Sequence, residues 1–285
     1  MKIVNDLATE YSVSSDGLIW TVKIREDVKF SDGKPLTSAD VVYTYETASK
    51  SSSVVDLNVM KKVEAIDDYT IKFTLKHTQS TFINILACTG IVPKHAHGKD
   101  YAQKPIGSGP YKFVQWDKGQ QLIVEQNPYY YGKKSVFKKL TFLYLTEEAA
   151  FAAAQAGKVD VAAVVPSVAN QKVSGMKLVD VDSVDNRGIM FPYVKSGKKT
   201  KDGYPVGNDV TSDIAIRKAI NVAIDRKALI DGVLNGYGSA AYTVCDKMPW
   251  WNPESAVKDA DLEGAKKILA DGGWKDTNKD GVVEK

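Results

Sequence analysis

Between Ile19 and Ala48 the apolar period of this chain switches from two to between three and four, and that switch restricts the possible folds more than any other feature. In Ile19-Trp20-Thr21-Val22-Lys23-Ile24, the residues Trp20, Val22 and Ile24 share one face, the alternation of a strand with one side buried. Ser31-Asp32-Gly33-Lys34-Pro35 is turn chemistry, with Gly33 free to take positive φ. Thr37 and Asp40 stand at the spacing of a capping box, Thr37 as N-cap and Asp40 at N3. Val41, Val42, Tyr45 and Ala48 then fall on one helical face. A strand, a tight turn and an amphipathic helix in such quick succession must bury a helix against a sheet.

The same reading continues along the chain. Val63 and Ala65, then Ile71, Phe73 and Leu75, predict a hairpin turning at Asp67-Asp68. Residues 79–105 are less regular. Ile106-Gly107-Ser108-Gly109-Pro110-Tyr111 is a loop entering a strand, and strands near 111–116, 121–126 and 138–145 follow. An alanine-rich helix over 146–156 ends at Gly157-Lys158, and Val159–Val165 reads as a strand. Strand, helix, strand is the βαβ order of an open α/β sheet. Residues 186–210 are glycine-rich and polar around Ile189-Met190-Phe191, which predicts a long loop after a strand; such loops are usually functional or mobile. Ile216, Ala219, Ile220 and Ala223 form one helical stripe. Asp225 caps a second helix carrying Leu229, Ile230, Val233 and Leu234, which Gly236 stops. A last helix over about 262–270 begins after Asp261 and ends at Gly272-Gly273.

Composition narrows the functional classes. A length of 285 residues suits two ordinary domains. The net charge is only +3 and no lysine or arginine block exceeds a few residues, which argues against a nucleic-acid-binding stripe. No run of about 18 apolar residues is present to span a membrane. Met1-Lys2-Ile3 leads straight into polar sequence, with no apolar leader and no lipid-anchor cysteine. Cys88 and Cys245 lie far apart. They pair in an oxidising compartment or stay two separate buried thiols, and neither belongs to a zinc or redox motif.

The chemistry-bearing residues do not assemble a catalytic set. Gly107-Ser108-Gly109 lacks the spacing of a nucleophile elbow. His95-Ala96-His97 points two imidazoles the same way on an extended segment, but a metal site needs three or four ligands; Cys88 and Asp100 are the nearest candidates, and a solvated loop is the simpler reading. Asp276-Thr277-Asn278-Lys279-Asp280-Gly281 matches the first half of a calcium loop. Position 12 of such a loop falls beyond Lys285, and the segment reads better as a polar turn. Tyr129-Tyr130-Tyr131 and Trp250-Trp251 stack on a ligand or pack locally, with packing preferred for the tyrosines.

Five collinear motifs resemble one family. The stretch from Leu18 to Val41, with Ile19-Trp20-Thr21-Val22-Lys23-Ile24-Arg25 and Phe30-Ser31-Asp32-Gly33-Lys34-Pro35-Leu36-Thr37-Ser38-Ala39-Asp40-Val41, resembles the signature of the family 5 extracellular solute-binding proteins. Val92-Pro93-Lys94-His95, Ile106-Gly107-Ser108-Gly109-Pro110-Tyr111, Asn127-Pro128-Tyr129-Tyr130-Tyr131 with Gly157-Lys158-Val159-Asp160, and Ile216 to Arg226 follow in the family's order.

The resemblance implies an α/β, periplasmic-binding-protein-like fold (type II, cluster C), with a mixed-sheet lobe plus an α+β accessory domain. It implies an accessory domain over 1–105, most of a first ligand-binding lobe over 106–250 and the start of a second lobe over 251–285, so that the chain resembles a fragment. Function by resemblance is that of an extracytoplasmic, monomeric receptor, not an enzyme, that closes on a ligand and delivers it to the permease subunits of an ABC importer. Any membrane association would run through an anchor absent from this chain. The ligand is an oligopeptide or dipeptide or, alternatively, a nickel chelate, with no cofactor and no resident metal. A peptide needs a cation for its carboxylate, and Arg187 in Asn186-Arg187-Gly188-Ile189-Met190-Phe191 is the candidate. Asn186, Gly188, Met190 and Phe191 would line the site with it, as would Cys88 and Thr89. Cys88-Thr89-Gly90-Ile91 stands where an arginine is expected in nickel receptors. Two other classes, a metal-dependent hydrolase using His95 and His97 and a surface protein without a small ligand, have fewer residues in their favour.

Overall fold

The alternating strand expected around Trp20 sits second in a four-stranded antiparallel sheet. The structure, a computed structural model, describes residues 3–51 and 55–285; the start of the chain at Met1-Lys2, where no leader was read, lies outside them. Strands β1 (Ala8–Val13), β2 (Ile19–Ile24), β3 (Met60–Asp67) and β4 (Thr70–Leu75) pair in the order β1-β2-β4-β3. Trp20 lies opposite Phe73 and Val22 opposite Ile71, so both apolar faces point the same way. The hairpin turns at Asp67-Asp68 as expected, where Asp67 Oδ1 accepts the Tyr69 amide at 2.8 Å.

Helix α1 (Ser38–Ala48) covers that face. The Thr37 amide donates to the Asp40 carboxylate at 3.0 Å, the reciprocal half of the expected capping box. Val41 and Tyr45 are buried, with Val42 and Ala48 packed at the margin. Tyr45 meets Phe73 edge-on at 4.9 Å, and Phe82 meets Phe73 at 5.6 Å and Trp20 at 5.5 Å. Burial pushes the Tyr45 phenol up to about 12. Phe82 opens a short helix, α2 (Phe82–Cys88), inside the stretch that periodicity left irregular.

The turn at Asp32 joins this layer to the next segment. Gly33 has φ of +87°, and a Cβ there would lie 3.0 Å from the Tyr129 ring, so glycine is required twice over. The Ser31 amide donates to the Gly107 carbonyl at 2.8 Å. Beyond it, β5 (Tyr111–Asp117), β6 (Gln121–Gln126) and β7 (Lys139–Leu143) form an antiparallel three-stranded sheet. Buried Asn127 holds its edge: Nδ2 donates to the Gly109 carbonyl at 2.9 Å and Oδ1 accepts the Tyr129 amide at 3.0 Å. All of this lies in one compact unit, Met1–Leu145, and the remainder forms a second, Thr146–Lys285.

The second unit is mainly helical. Thr146 caps α3 (Glu147–Gln155), and Gly157 follows at φ of +64°. The βαβ expectation fails at the next step. Val159–Val165 pairs with no strand among the described residues, and Val161 is exposed. An extended apolar segment becomes a strand only where a neighbour supplies its hydrogen bonds, and periodicity cannot announce the neighbour. After α4 (Pro166–Ala169), the chain from Lys177 to Phe191 runs without assigned secondary structure. The expected long loop of 186–210 therefore follows no strand, and it holds a two-residue ribbon, β8 (Lys198–Lys199) with β9 (Pro205–Val206).

The helices of the last third form where expected. Helix α5 (Ile214–Ala223) buries Ala215, Ile216 and Ala219, and α7 (Leu262–Asp271) packs against it. A Cβ at Gly272 would lie 2.4 Å from that of Ala215, which explains the glycine after α7. Asp225 caps α6 (Arg226–Val233) through the Ala228 amide at 2.8 Å, and Asp261 caps α7 through the Gly264 amide at 3.1 Å. Asp213 caps α5 through the Ala215 amide at 2.9 Å and also accepts from Lys285 at 2.6 Å and from the Trp274 indole at 3.1 Å.

Candidate functional site

From Lys177 to Phe191 no main-chain amide or carbonyl bonds to another main-chain group among the described residues. This run carries exposed valines at 179, 181 and 184, then Ile189 and Met190. Backbone left unpaired on a surface is a template for another extended chain. Arg187 stands within it with a side chain 90% exposed, paired among the described residues to Asp185 at 3.1 Å. Gly188 and Met190 are exposed beside it and Phe191 is half-buried.

The strip lies beside a loop that sequence reasoning did not select. Asn186 Nδ2 donates to the Thr243 carbonyl at 2.8 Å, and Lys247 reaches Asp182 at 3.2 Å. Two anchors shape this loop. Asp246 accepts the amides of Tyr242 and Thr243 at 2.6 and 2.7 Å and the Thr243 hydroxyl at 2.5 Å. Burial pushes the Asp246 carboxyl up, but these bonds outweigh it and leave the group below the usual carboxylate range. The second anchor is Arg226, whose side chain is 13% exposed. It pairs with Asp259 at 2.5 Å, donates to the carbonyls of Ala241 and Asn221 at 2.9 and 3.1 Å, and lies 4.8 Å over the Tyr242 ring. An arginine at the start of an amphipathic helix was the only available sign.

Cys88 and Thr89 belong to the first unit, at the end of α2. Cys88 is exposed, and the Thr89 hydroxyl donates to the Ile85 carbonyl at 2.7 Å. Cys88 and Cys245 are both free thiols, the second half-buried. His95 and His97 do not converge. His95 Nε2 meets Asp32 at 2.7 Å, whereas His97 Nδ1 meets the Tyr43 hydroxyl at 2.9 Å. Tyr131 of the tyrosine run packs on the rim of the first unit, where it donates to Asp6 at 2.8 Å and lies under Arg25 at 5.0 Å.

Among the described residues one group of acids gathers its oxygens within 4.8 Å, that of Asp276, Asp280 and Glu284. Its carboxylates serve the loop's own amides. Asp276 accepts from Lys279 and Gly281 at 2.6 and 3.0 Å, and Glu284 accepts from Thr277 at 3.0 Å. A concavity of about 990 Å³ is an open trough in the first unit at the ends of β2 and β4. The charges around it pair with one another, Arg25 with Asp27 at 2.6 Å and Lys23 with Glu10 at 2.5 Å.

Residues 2–285 match the bacterial extracellular solute-binding proteins, family 5 Middle. The chain belongs to that family. It is 32% identical to the oligopeptide-binding protein AppA of Bacillus subtilis, over 100% of this chain and 54% of that protein. It is 31% identical to the glutathione-binding protein GsiB of Pectobacterium atrosepticum, over 85% of this chain and 47% of that one. Among solved structures, NikZ from Campylobacter jejuni in complex with Ni(L-His) superposes with a TM-score of 0.82 at 28% identity, covering 98% of this chain and 56% of that chain. AppA from B. subtilis in complex with a nonapeptide gives 0.74 at 32%, covering 98% and 57%. The chain thus spans about half the length of these relatives, and the family consists of binding proteins.

Proposed function

We propose that this family 5 chain serves as the ligand-capturing part of an ABC importer's substrate-binding component, and that its ligand is an oligopeptide or dipeptide. The observation that carries the reading is the Lys177–Phe191 strip, whose unpaired backbone can bond a peptide main chain whatever its side chains. Arg187 supplies a cation for the peptide carboxylate, through a planar fork that takes two oxygens at once. Gly188, Met190 and Phe191 continue the strip. The Arg226–Asp259 pair and the Asp246 turn hold its neighbour, the 242–247 loop, in place. The protein binds and releases its ligand without breaking a bond.

The same reading assigns residues 1–105 to an accessory domain, 106–250 to most of one lobe and 251–285 to the start of another. It places the protein outside the cytoplasm as a monomer that docks on permease subunits, and gives Cys88 and Thr89 a place at the ligand. A second reading, capture of a nickel chelate, is favoured by the structural likeness to NikZ with its Ni(L-His).

Native mass spectrometry of the protein at its natural full length, purified without denaturant, tests the choice. A distribution of co-purified short peptides, lost in Arg187→Ala, is the expected result. A single discrete metal-chelate mass, unchanged in that variant, would overturn the peptide reading.

A further inference from the structure

The connection from β6 to β7 carries the sequence Gly132-Lys133-Lys134-Ser135-Val136-Phe137-Lys138-Lys139. Four lysines flank two apolar residues, and no acid interrupts them. Val136 is 87% and Phe137 65% exposed, and all four lysines are exposed. The one ion pair bordering the loop among the described residues joins Lys112 to Glu125 at 3.0 Å. Glu125 also faces Lys139 in the β6–β7 register, so one carboxylate stands against five ammonium groups.

The loop is held in shape while its apolar side chains are left out. Gln126 Nε2 donates to the Ser135 carbonyl at 2.6 Å, the Tyr111 hydroxyl to the Phe137 carbonyl at 2.9 Å, and the Gln126 amide to the Lys138 carbonyl at 2.9 Å. Fixed backbone around exposed Val136 and Phe137 lowers the ordering cost of any contact they make.

We propose that this loop docks on an anionic phospholipid surface. Lysines beside a charged bilayer each strengthen attachment, their long stems let the ammonium groups reach the headgroups, and a neighbouring aromatic side chain enters the interfacial layer. An acidic protein partner would satisfy the charge, but unpaired lysines around two adjacent apolar tips suit a headgroup layer better than a rigid surface. The contact is weak and reversible, and it orients a receptor at the membrane where an importer sits. It stands or falls independently of the ligand.

Flotation of the full chain with phosphatidylcholine vesicles, with and without phosphatidylglycerol, tests it. Binding only to the phosphatidylglycerol vesicles, weakened by salt, is expected. The pair Lys133→Gln and Lys134→Gln should lower the partition coefficient about 25-fold, at roughly fivefold per lysine. Phe137→Ser should lower it by up to about tenfold. Each variant should melt with the parent, because the side chains of Lys133, Lys134 and Phe137 are exposed and bond to no other side chain among the described residues. Equal partition into both vesicles, or lysine variants that float like the parent, would overturn the proposal. Failure to float with either vesicle, with lysine-dependent binding to polyglutamate instead, would replace the membrane by an acidic protein.

Discussion

The two compact units spend their apolar residues differently. In the first, Phe30, Phe73, Phe82, Leu36, Ile71 and Tyr45 are fully buried between α1, α2 and the four-stranded sheet. In the second, small residues dominate the buried set, as Ala215, Ala219 and Ala265 do between α5 and α7, while Val161, Val179, Val181, Ile189 and Met190 face outward. The four-stranded sheet and its helices bury their large apolar side chains, whereas the three-stranded sheet of the same unit, with its β6–β7 connection, leaves Val136, Phe137 and Phe142 exposed. The second unit holds a strip of apolar side chains and unpaired backbone on its surface. Exposed apolar strips of this kind mark places where something binds.

Substitutions can break this contrast, beginning with the largest effect. Phe73→Ala should cost about 3–5 kcal/mol, because its ring is enclosed by Tyr45 and Phe82 and leaves a cavity. Val179→Ala in the second unit should stay within about 0.5 kcal/mol. Urea denaturation of both variants measures the difference, and similar costs would erase the distinction between the units.

Arg226→Ala should cost about 2 kcal/mol, the value of hydrogen bonds to a charged group. It should also speed amide exchange in residues 240–247 while leaving β2 and β4 protected. Gly33→Ala should cost about 1–2 kcal/mol, since it forces a side chain into positive φ and against the Tyr129 ring. Its effect should fall on the first unit alone, as read by fluorescence of Trp20 and Trp116.

The smallest effect is an acid one. The Lys285 ammonium, with the Ala215 amide and the Trp274 indole, holds the Asp213 carboxyl at about 2. A carboxyl lowered in the folded state stabilises fully above its ordinary value near 3.8. That contribution is lost as pH falls toward 2. Thermal melts of the second unit between these limits should therefore drop less steeply in Asp213→Asn than in the parent, and parallel curves would remove Asp213 from the account.

Much of the first unit was legible because local signals agree with tertiary packing there. The alternation at Trp20-Val22-Ile24, the Gly33 turn and the Thr37–Asp40 cap all form as the residue types dictate. Helices α5, α6 and α7 were legible for the same reason, through the caps Asp225 and Asp261. The strand at Val159–Val165 was not, because strand formation needs a partner elsewhere in the chain or beyond it. Helix α2 was missed because its seven residues are too few to set a period, although Phe82, Ile85 and Leu86 stand at helical spacing and pack on the core. Of the candidate site, Arg187 and its neighbours were named from the sequence, and Arg226 was read as free for a carboxylate contact, which it makes with Asp259, but Thr243 and Asp246 were not named. Their roles arise from contacts such as Asn186 with Thr243, far apart in the chain.

Hydrogen exchange of the natural full-length protein, with and without a mixture of short peptides, tests the central claim most directly. The account predicts new protection at Lys177–Phe191 and at 240–247, with the amides of β1 to β4 unchanged. Protection confined to the four-stranded sheet, or none at saturating peptide, would contradict it.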